Sequence, residues 1–192
     1  MSGKIYQIKV SLRGSKPNIW RRILIPSDML LSEFHYVLQA TMGWTNSHLH
    51  QFIYDGEYYT KKMPDEMMMD DFGIDYENMK VSDFLSGEKD KMIYEYDFGD
   101  GWVHDILLEK ITDPDPNQFY PVCIKGKMNC PPEDCGGIWG YYDMLNILED
   151  PSHEEYENYK EWLGEDFDPA YFNLDEINAF LRDPTFGFTR LF

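Results

Sequence analysis

The chain has 192 residues, of which 43% are hydrophobic and 16% aromatic, and its formal net charge is −18. This composition excludes a disordered chain, the length allows a sizeable core, and the short apolar runs exclude a membrane-spanning helix. The N-terminus enters a strand-like pattern directly and offers no signal peptide. Three cysteines, an odd number, argue for reduced thiols or a metal site instead of a disulfide framework. We therefore expect a cytoplasmic protein.

The charge is unevenly distributed along the chain. Residues 1–62 carry eight Lys or Arg against four Asp or Glu, whereas residues 63–192 carry nine against thirty-one. Because nucleic-acid affinity depends on cations placed against phosphates, most of the chain would repel DNA or RNA. A modest basic patch is confined to the first third and consists of Arg13, Lys16, Arg21, Arg22, Lys61 and Lys62. A solvated acidic surface is the simpler interpretation of the remainder.

The first third predicts two strands, a helix and a third strand. Residues 4–12 alternate between apolar and polar, and residues 19–25 are rich in β-branched side chains, so we expect an antiparallel hairpin that Pro26 closes. A helix follows with Ser32 as its N-cap and Gly43 at its end. Its buried stripe consists of Phe34, Val37, Leu38 and Thr41. Residues 48–54 predict the third strand, ended by a turn at Asp55 and Gly56.

The remaining two thirds predict one hairpin and three helices. Residues 60–90 read as irregular structure with a short helical turn near 81–85, and residues 91–98 and 101–111 as a central hairpin. A Pro-rich loop is expected over 112–135, before amphipathic helices at about 137–149, 154–163 and 174–182. The order of two strands, a helix and further strands predicts an α+β fold of the β-grasp (ubiquitin-like) type. One helix would pack on a mixed sheet, with acidic C-terminal helices around it.

We expect a single domain over residues 1–192. Residues 1–112 would form the sheet-and-helix core, and residues 113–192 the Pro-rich loop and a helical extension packed on that core.

The chemistry-bearing residues concentrate first in the hairpin at 94–105. Since side chains alternate across a strand, a two-residue turn at 99–100 or at 100–101 would place Glu95, Asp97, Trp102 and His104 on one face. A carboxylate beside His104 would raise the pKa of its imidazole, which suits acid–base chemistry or the orientation of a metal ligand. The simpler alternative is a turn stabilised by Asp side chains, with a structurally satisfied histidine.

A second such segment lies at 130–137. Its two prolines preset an extended backbone, and Gly136 and Gly137 permit unusual backbone angles or a close approach. Glu133 and Asp134 lie between them in a stiff frame, which a preorganised site requires. Both carboxylates could instead favour the N-terminus of the next helix. We predict that this loop folds against the hairpin tip and that the two segments share one polar cleft.

A zinc site is a weaker alternative. Cys123, Cys130, Cys135 and His104 could supply three sulfurs and one nitrogen, and His48 and His50, on one side of their strand, could add ligands. The gaps of seven and five residues between the cysteines are not the short gaps of zinc knuckles. A cysteine nucleophile is disfavoured because Glu133 and Asp134 would raise the pKa of the neighbouring thiols.

Several motifs resemble those of the plasmid pRiA4b ORF-3-like family. They are the opening hairpin from Tyr6 to Arg22, the helix end at residues 42–44, the segment 47–52, the segments 96–104 and 130–137, and residues 166–169 near the C-terminus. Members of this family are often labelled passenger proteins of a mobile element, sometimes with a resolvase-like name. The resemblance implies an α+β protein of uncharacterised activity.

We expect the shared site to comprise Asp97, Asp100, Trp102, His104, Glu133 and Asp134. Three functions remain open. The first is a binding module for a small ligand, a peptide or a protein partner. The second is a metal-assisted or acid–base hydrolase that uses His104 with Asp97, Glu133 or Asp134. The third is a DNA-associated accessory protein that acts through the basic N-terminal hairpin.

Overall fold

The computed structural model describes residues 3–62, 73–164 and 166–188. Its strands are β1 (Ile5–Leu12), β2 (Trp20–Pro26), β3 (His50–Tyr54), β4 (Glu57–Thr60), β5 (Ile74–Asp75), β6 (Lys91–Tyr96), β7 (Trp102–Thr112) and β8 (Val122–Lys127). Its α-helices are α1 (Leu31–Met42), α2 (Gly137–Leu148), α3 (Tyr156–Leu163) and α4 (Leu174–Arg182). A short 3₁₀ turn covers Val81–Asp83. The predicted short helical turn and the three predicted C-terminal helices are therefore confirmed.

The strands form one sheet in the order β5-β4-β3-β6-β7-β1-β2-β8. β4 and β5 are parallel, and all other described neighbours are antiparallel. The α+β class with a mixed sheet is thus confirmed, and so is the N-terminal hairpin of β1 and β2. The order β1, β2, α1, β3 agrees with a β-grasp core, but the β-grasp type itself stays a prediction.

The helix α1 packs on one face of the sheet. Phe34, Val37 and Leu38 are completely buried, as the predicted stripe requires, and the Phe34 ring lies 6.1 Å from that of Phe52 in β3. Alternate residues of the central strands are buried in the same cluster. The opposite face carries partly exposed polar pairs such as Arg22 and Glu109, whose closest atoms are 2.6 Å apart. The face of the sheet that carries α1 also positions the candidate site.

The start of α1 differs from the prediction, whereas its end does not. Gly43 adopts a left-handed conformation with φ of 91°, as a helix-ending glycine does. Leu30 is the N-cap, and Ser32 lies within the first turn. The reason is a β-bridge between Leu30 and Lys80, because this pairing keeps the Leu30 backbone extended immediately before the helix.

Three strand assignments from the sequence need correction. β3 begins at His50, so His48 lies in the loop before it. The turn at Asp55 and Gly56 does not end the strand region but connects β3 to β4. β8 lies inside the predicted loop 112–135, where Lys125 and Gly126 interrupt the apolar pattern and pairing with β2 prevails over weak local propensity. Part of the predicted irregular segment, residues 63–72, lies outside the described residues.

The edge strand β8 is covered by α4. The buried side chain of Asn178 accepts a hydrogen bond from the Cys123 backbone N–H (2.8 Å) and donates one to its carbonyl (2.9 Å). These bonds satisfy backbone groups that an edge strand otherwise leaves open. None of the described helices has the length and apolar character needed to cross a membrane. The cytoplasmic location stays a prediction.

Candidate functional site

The hairpin tip and the 130–137 loop meet in space. The Gly136 backbone N–H donates a hydrogen bond to Asp100 Oδ2 at 3.2 Å. A Cβ atom at Gly137, where φ is +68°, would lie 2.3 Å from the Asp100 carbonyl oxygen. Only glycine permits this approach, and the loop is therefore seated directly on the tip. The meeting that the sequence predicts is present.

The Tyr96 hydroxyl joins three segments of the site. It accepts hydrogen bonds from the backbone N–H groups of Ser47 (3.0 Å) and His48 (3.3 Å), and it donates one to the Glu133 carboxylate. Glu133 also accepts hydrogen bonds from the backbone N–H and the hydroxyl of Thr45. Burial and the adjacent Glu133 carboxylate raise the pKa of Tyr96. Tyr96 therefore stays a neutral donor, and Glu133 acts as a clamp between loops.

Trp44 holds the other end of the loop. Its indole Nε1–H donates to the Pro131 carbonyl at 3.1 Å. Its ring stacks on Tyr96 with centroids 5.0 Å apart and contacts Trp102 and His104 at 5.9 and 5.1 Å. An aromatic cluster thus fixes the loop on the face of the sheet.

The hairpin register differs from both predicted registers. Tyr96 pairs with Trp102, and Tyr94 pairs with His104, so residues 97–101 form a five-residue connection. Asp97 explains this longer turn: its Oδ1 accepts hydrogen bonds from the N–H groups of Gly99 (3.0 Å) and Asp100 (3.3 Å). Because Glu95 pairs with Val103, it lies on the face of the sheet opposite to that of Trp102 and His104.

Trp102 and His104 belong to the core and not to the cleft surface. Trp102 is 1% exposed and His104 is fully buried. Burial lowers the pKa of His104 to about 4, so the ring is neutral near neutral pH. Its Nδ1 lies 3.3 Å from the Tyr94 carbonyl oxygen. The structure thus places two of the six expected site residues beneath the cleft.

His48, Asp97 and Asp134 converge at the edge of the cleft. One side-chain ligand atom from each lies within 4.8 Å of the others. His48 Nδ1 is 3.7 Å from Asp97 Oδ2, and Nε2 is 3.3 Å from Asp134 Oδ1. The latter approach does not meet hydrogen-bond geometry, so the buried Nε2 atom has no hydrogen-bond partner within residues 3–62, 73–164 and 166–188. A cation bound between these groups would compensate the two carboxylates and give Nε2 a partner.

Both carboxylates of this cluster lie on backbone in the left-handed region. The φ angle is 56° at Asp97 and 61° at Asp134. Aspartate tolerates this conformation better than most residues. The Asp97 side chain is 10% exposed and that of Asp134 is 73% exposed. The cluster therefore has a fixed inner carboxylate and an accessible outer one.

A groove of about 490 Å³ runs past the outer carboxylate. Thr45, Glu133 and Asp134 form its polar side, and Trp162 and Phe167 lie among its apolar residues. Residues 166–169, one of the motifs singled out in the sequence, support this wall: the Asn129 backbone N–H donates to the Pro169 carbonyl at 2.9 Å. The groove is thus lined by both acidic and aromatic residues.

The zinc ligands expected from the sequence are not brought together. Among the described residues, His48, Asp97 and Asp134 form the one group of three or more candidate ligands. Cys123, Cys130 and Cys135 are free thiols. The buried Arg21 guanidinium interacts electrostatically with Cys123 and Cys130, a place where a metal cation would be repelled. His48 and His50 are also separated in role, because His50 stacks on His35 with centroids 3.5 Å apart and bonds to Tyr76.

The thiols are poor nucleophiles. Burial raises the pKa of Cys123 to about 11 and that of Cys135 to about 12, and it raises the pKa of Cys130 further. Asp134 adds to the effect at Cys135, and Glu133 adds to it at Cys130. The sequence predicted that Glu133 and Asp134 raise the pKa of the neighbouring thiols, and this prediction is confirmed.

The sequence prediction missed the combination of His48 with Asp97 and Asp134. The sequence feature that could have pointed to His48 is the polar segment after Gly43. Within this segment Asn46 has a φ of 60°. Residues 42–44 and 47–52 were already distinctive motifs, but no local pattern linked them to the 130–137 loop. Of the expected residues, Asp97 and Asp134 are available to a ligand, whereas Asp100 and Glu133 hold the loop.

The fold and the site together define an α+β protein in which the 130–137 loop packs through its glycines on the tip of a central hairpin. The chain belongs to the plasmid pRiA4b ORF-3-like protein family, whose model matches residues 4–176. The resemblance seen in the motifs is thereby confirmed.

Two relatives extend over nearly the whole chain. The uncharacterised protein y4hQ of Sinorhizobium fredii is 37% identical over 185 residues, which cover 95% of this chain and 93% of that protein. The crystal structure of MM3350, a protein of unknown function from Methanosarcina mazei Go1, is similar with a TM-score of 0.81 and 38% identity. That match covers 92% of this chain and 98% of the other. Function must therefore be inferred from the site.

We predict that Gly137→Ala destabilises the protein more than Gly136→Ala does. Both glycines have positive φ, which costs an alanine about 1 kcal/mol. At Gly137 the added methyl group also meets the Asp100 carbonyl, so we expect a total loss of about 3 kcal/mol in the free energy of unfolding. At Gly136 the nearest such atom is 3.6 Å away. Urea denaturation measures the difference, and equal losses would contradict the seating of the loop.

We also predict that the free energy of unfolding falls as the pH is lowered from about 6.5 to about 4. In this window the unfolded chain binds a proton on His104 that the folded protein, with its lowered pKa, does not bind. His35, whose pKa burial also lowers to about 4, contributes in the same direction. Each buried histidine accounts for roughly 2 to 3 kcal/mol over the window. Urea denaturation at several pH values measures this slope.

The variant His104→Gln tests the assignment. The readout is the difference in the free energy of unfolding between pH 7 and pH 4.5. We expect this difference to be about 2 kcal/mol smaller in the variant than in the wild type. His153→Gln, at an exposed histidine before α3, controls for the removal of one imidazole. An unchanged slope in His104→Gln would show that His104 is not the group that titrates.

Proposed function

We propose that this protein is a binding module whose cleft takes a positively charged ligand. The observation that carries the proposal is the position of His48: its buried Nε2, which has no hydrogen-bond partner among the described residues, lies beside the Asp134 carboxylate, and its Nδ1 lies beside that of Asp97. Such a group gains hydrogen bonds or coordination, and the two carboxylates gain charge compensation, when a cation binds.

The negative charge of the cleft is not compensated by basic side chains. In the described parts of the chain, Asp97, Asp100, Glu133 and Asp134 form no ion pair with Lys or Arg. Their partners are backbone N–H groups, hydroxyls and His48. Neutral donors hold these carboxylates in place and leave their charge available to a ligand.

The aromatic wall of the groove supports the same class of ligand. Trp162 is 49% exposed and lies with Phe167 in the groove that includes Asp134. Cations are attracted to aromatic faces as well as to carboxylates. An acidic rim beside an aromatic wall therefore favours a cation over an anion or a purely apolar molecule.

The other two functions have less support. A hydrolase centred on His104 would need access to that ring, but His104 is fully buried and its pKa is lowered to about 4. A DNA-associated role would need a free basic hairpin. Arg13 and Arg22 are paired with Asp105 and Glu109, and Arg21 is buried.

A thermal-shift panel tests the proposed function with three probes: an arginine-rich tetrapeptide, spermine and CoCl₂. We expect at least one of them to raise the Tm of the wild type and not that of Asp134→Asn. A probe at 100 times its Kd stabilises the folded state by about 2.7 kcal/mol, which corresponds to roughly 5 to 10 °C for a chain of this size. Asparagine accepts the left-handed backbone at this position, so the loop should be preserved.

Asp143→Asn, an exposed position on α2, is the matched control because it removes the same charge elsewhere. It should respond to the probes as the wild type does. If no probe stabilises the wild type, the proposed function is wrong. It is also wrong if the two variants respond equally, because the acidic composition alone then explains the binding.

A further inference from the structure

We propose that His48, Asp97 and Asp134 form a site for a divalent first-row transition-metal ion. The inference rests on the proposed function, because it names the cation that the cleft takes. It differs from the zinc site considered from the sequence because it uses none of the three cysteines and not His104; His48, named there as a possible additional ligand, is the one residue in common.

The geometry of the three groups fits a single ion. With bonds of about 2.0–2.2 Å, two ligands of one ion are at most about 4.4 Å apart. The three candidate ligand atoms lie within 4.8 Å of one another, so an adjustment of about 0.4 Å brings them within this limit. Asp134, whose side chain is 73% exposed, has room to move.

The chemistry of the ligands selects the class of metal. One imidazole nitrogen and two carboxylate oxygens suit Zn²⁺, Co²⁺ and similar ions, whereas Mg²⁺ and Ca²⁺ prefer oxygen ligands throughout. The buried Nε2 of His48, which has no hydrogen-bond partner, offers a free ligand position. Three protein ligands leave coordination positions for water or for another molecule, and one of them, Asp134, lines the open groove.

The surrounding hydrogen bonds preorganise all three ligands. Tyr96 precedes Asp97 in the chain, and its hydroxyl bonds to the His48 backbone N–H and to Glu133, which precedes Asp134. Asp97 is also fixed by the N–H groups of Gly99 and Asp100. Supporting bonds of this kind orient metal ligands and reduce the cost of assembling the site.

The test is a Co²⁺ titration of untagged protein that has been dialysed against a chelator, followed by visible absorption. We expect saturation at one ion per chain, ligand-field bands, no thiolate charge-transfer band and displacement of Co²⁺ by Zn²⁺. His48→Gln and Asp134→Asn should each weaken binding by at least about tenfold. His153→Gln and Asp143→Asn should bind as the wild type does. Circular dichroism without metal verifies that each variant is folded.

The outcomes separate this inference from the proposed function. A thiolate band would place the ion at the cysteines, and unchanged binding in His48→Gln would place it elsewhere; either result overturns the site. If Co²⁺ does not bind but spermine or the peptide stabilises the wild type through Asp134, the metal site is wrong and the binding function stands. If none of the three probes binds, both proposals fall.

Discussion

The Tyr96 hydroxyl group connects the two loops that form the cleft. It accepts bonds from two backbone N–H groups of the 43–49 loop and donates to Glu133 in the 130–137 loop. A phenolate could not make the last of these bonds, and the raised pKa of Tyr96 keeps the hydroxyl protonated. Because Tyr96 is the final residue of β6, the rigid sheet determines where both loops lie. The site is therefore built on a strand end and not on loops alone.

Hydrogen bonds within the site also explain how an acidic region can bring four carboxylates together. Residues 63–192 carry a large negative excess, yet Asp97, Asp100 and Glu133 receive hydrogen bonds from backbone N–H or hydroxyl groups. Charge-assisted bonds of this type offset part of the repulsion at short range. Asp134 differs from the other three, since among the described residues its one ion-pair contact is with His48. The repulsion that remains is concentrated at the accessible end of the cleft.

The sequence predicted those parts of the molecule that depend on local patterns. Alternation identified β1 and β7, and Gly43 marked the end of α1, because burial of one face and a positive φ leave direct traces in residue choice. The two segments at 94–105 and 130–137 were identified by their glycines and prolines. What the sequence could not provide was the turn length, since the Asp97 side chain bonds two backbone N–H groups and shifts the register. The role of His48 was also inaccessible, because it depends on contacts across 49 and 86 residues of chain.

The order of burial within the cluster gives the cleft a direction. Asp97 is nearly enclosed and held by the turn, His48 lies between, and Asp134 is open to solvent. Asp97 Oδ2 lies 3.7 Å from Nδ1 of the His48 ring, and the other ring nitrogen is Nε2. That other nitrogen faces Asp134, at the end of the cluster where the groove with Trp162 begins. A cation that enters from the groove therefore meets the exposed Asp134 carboxylate first and the His48 imidazole second, and in the proposed site the buried Asp97 carboxylate is the innermost ligand.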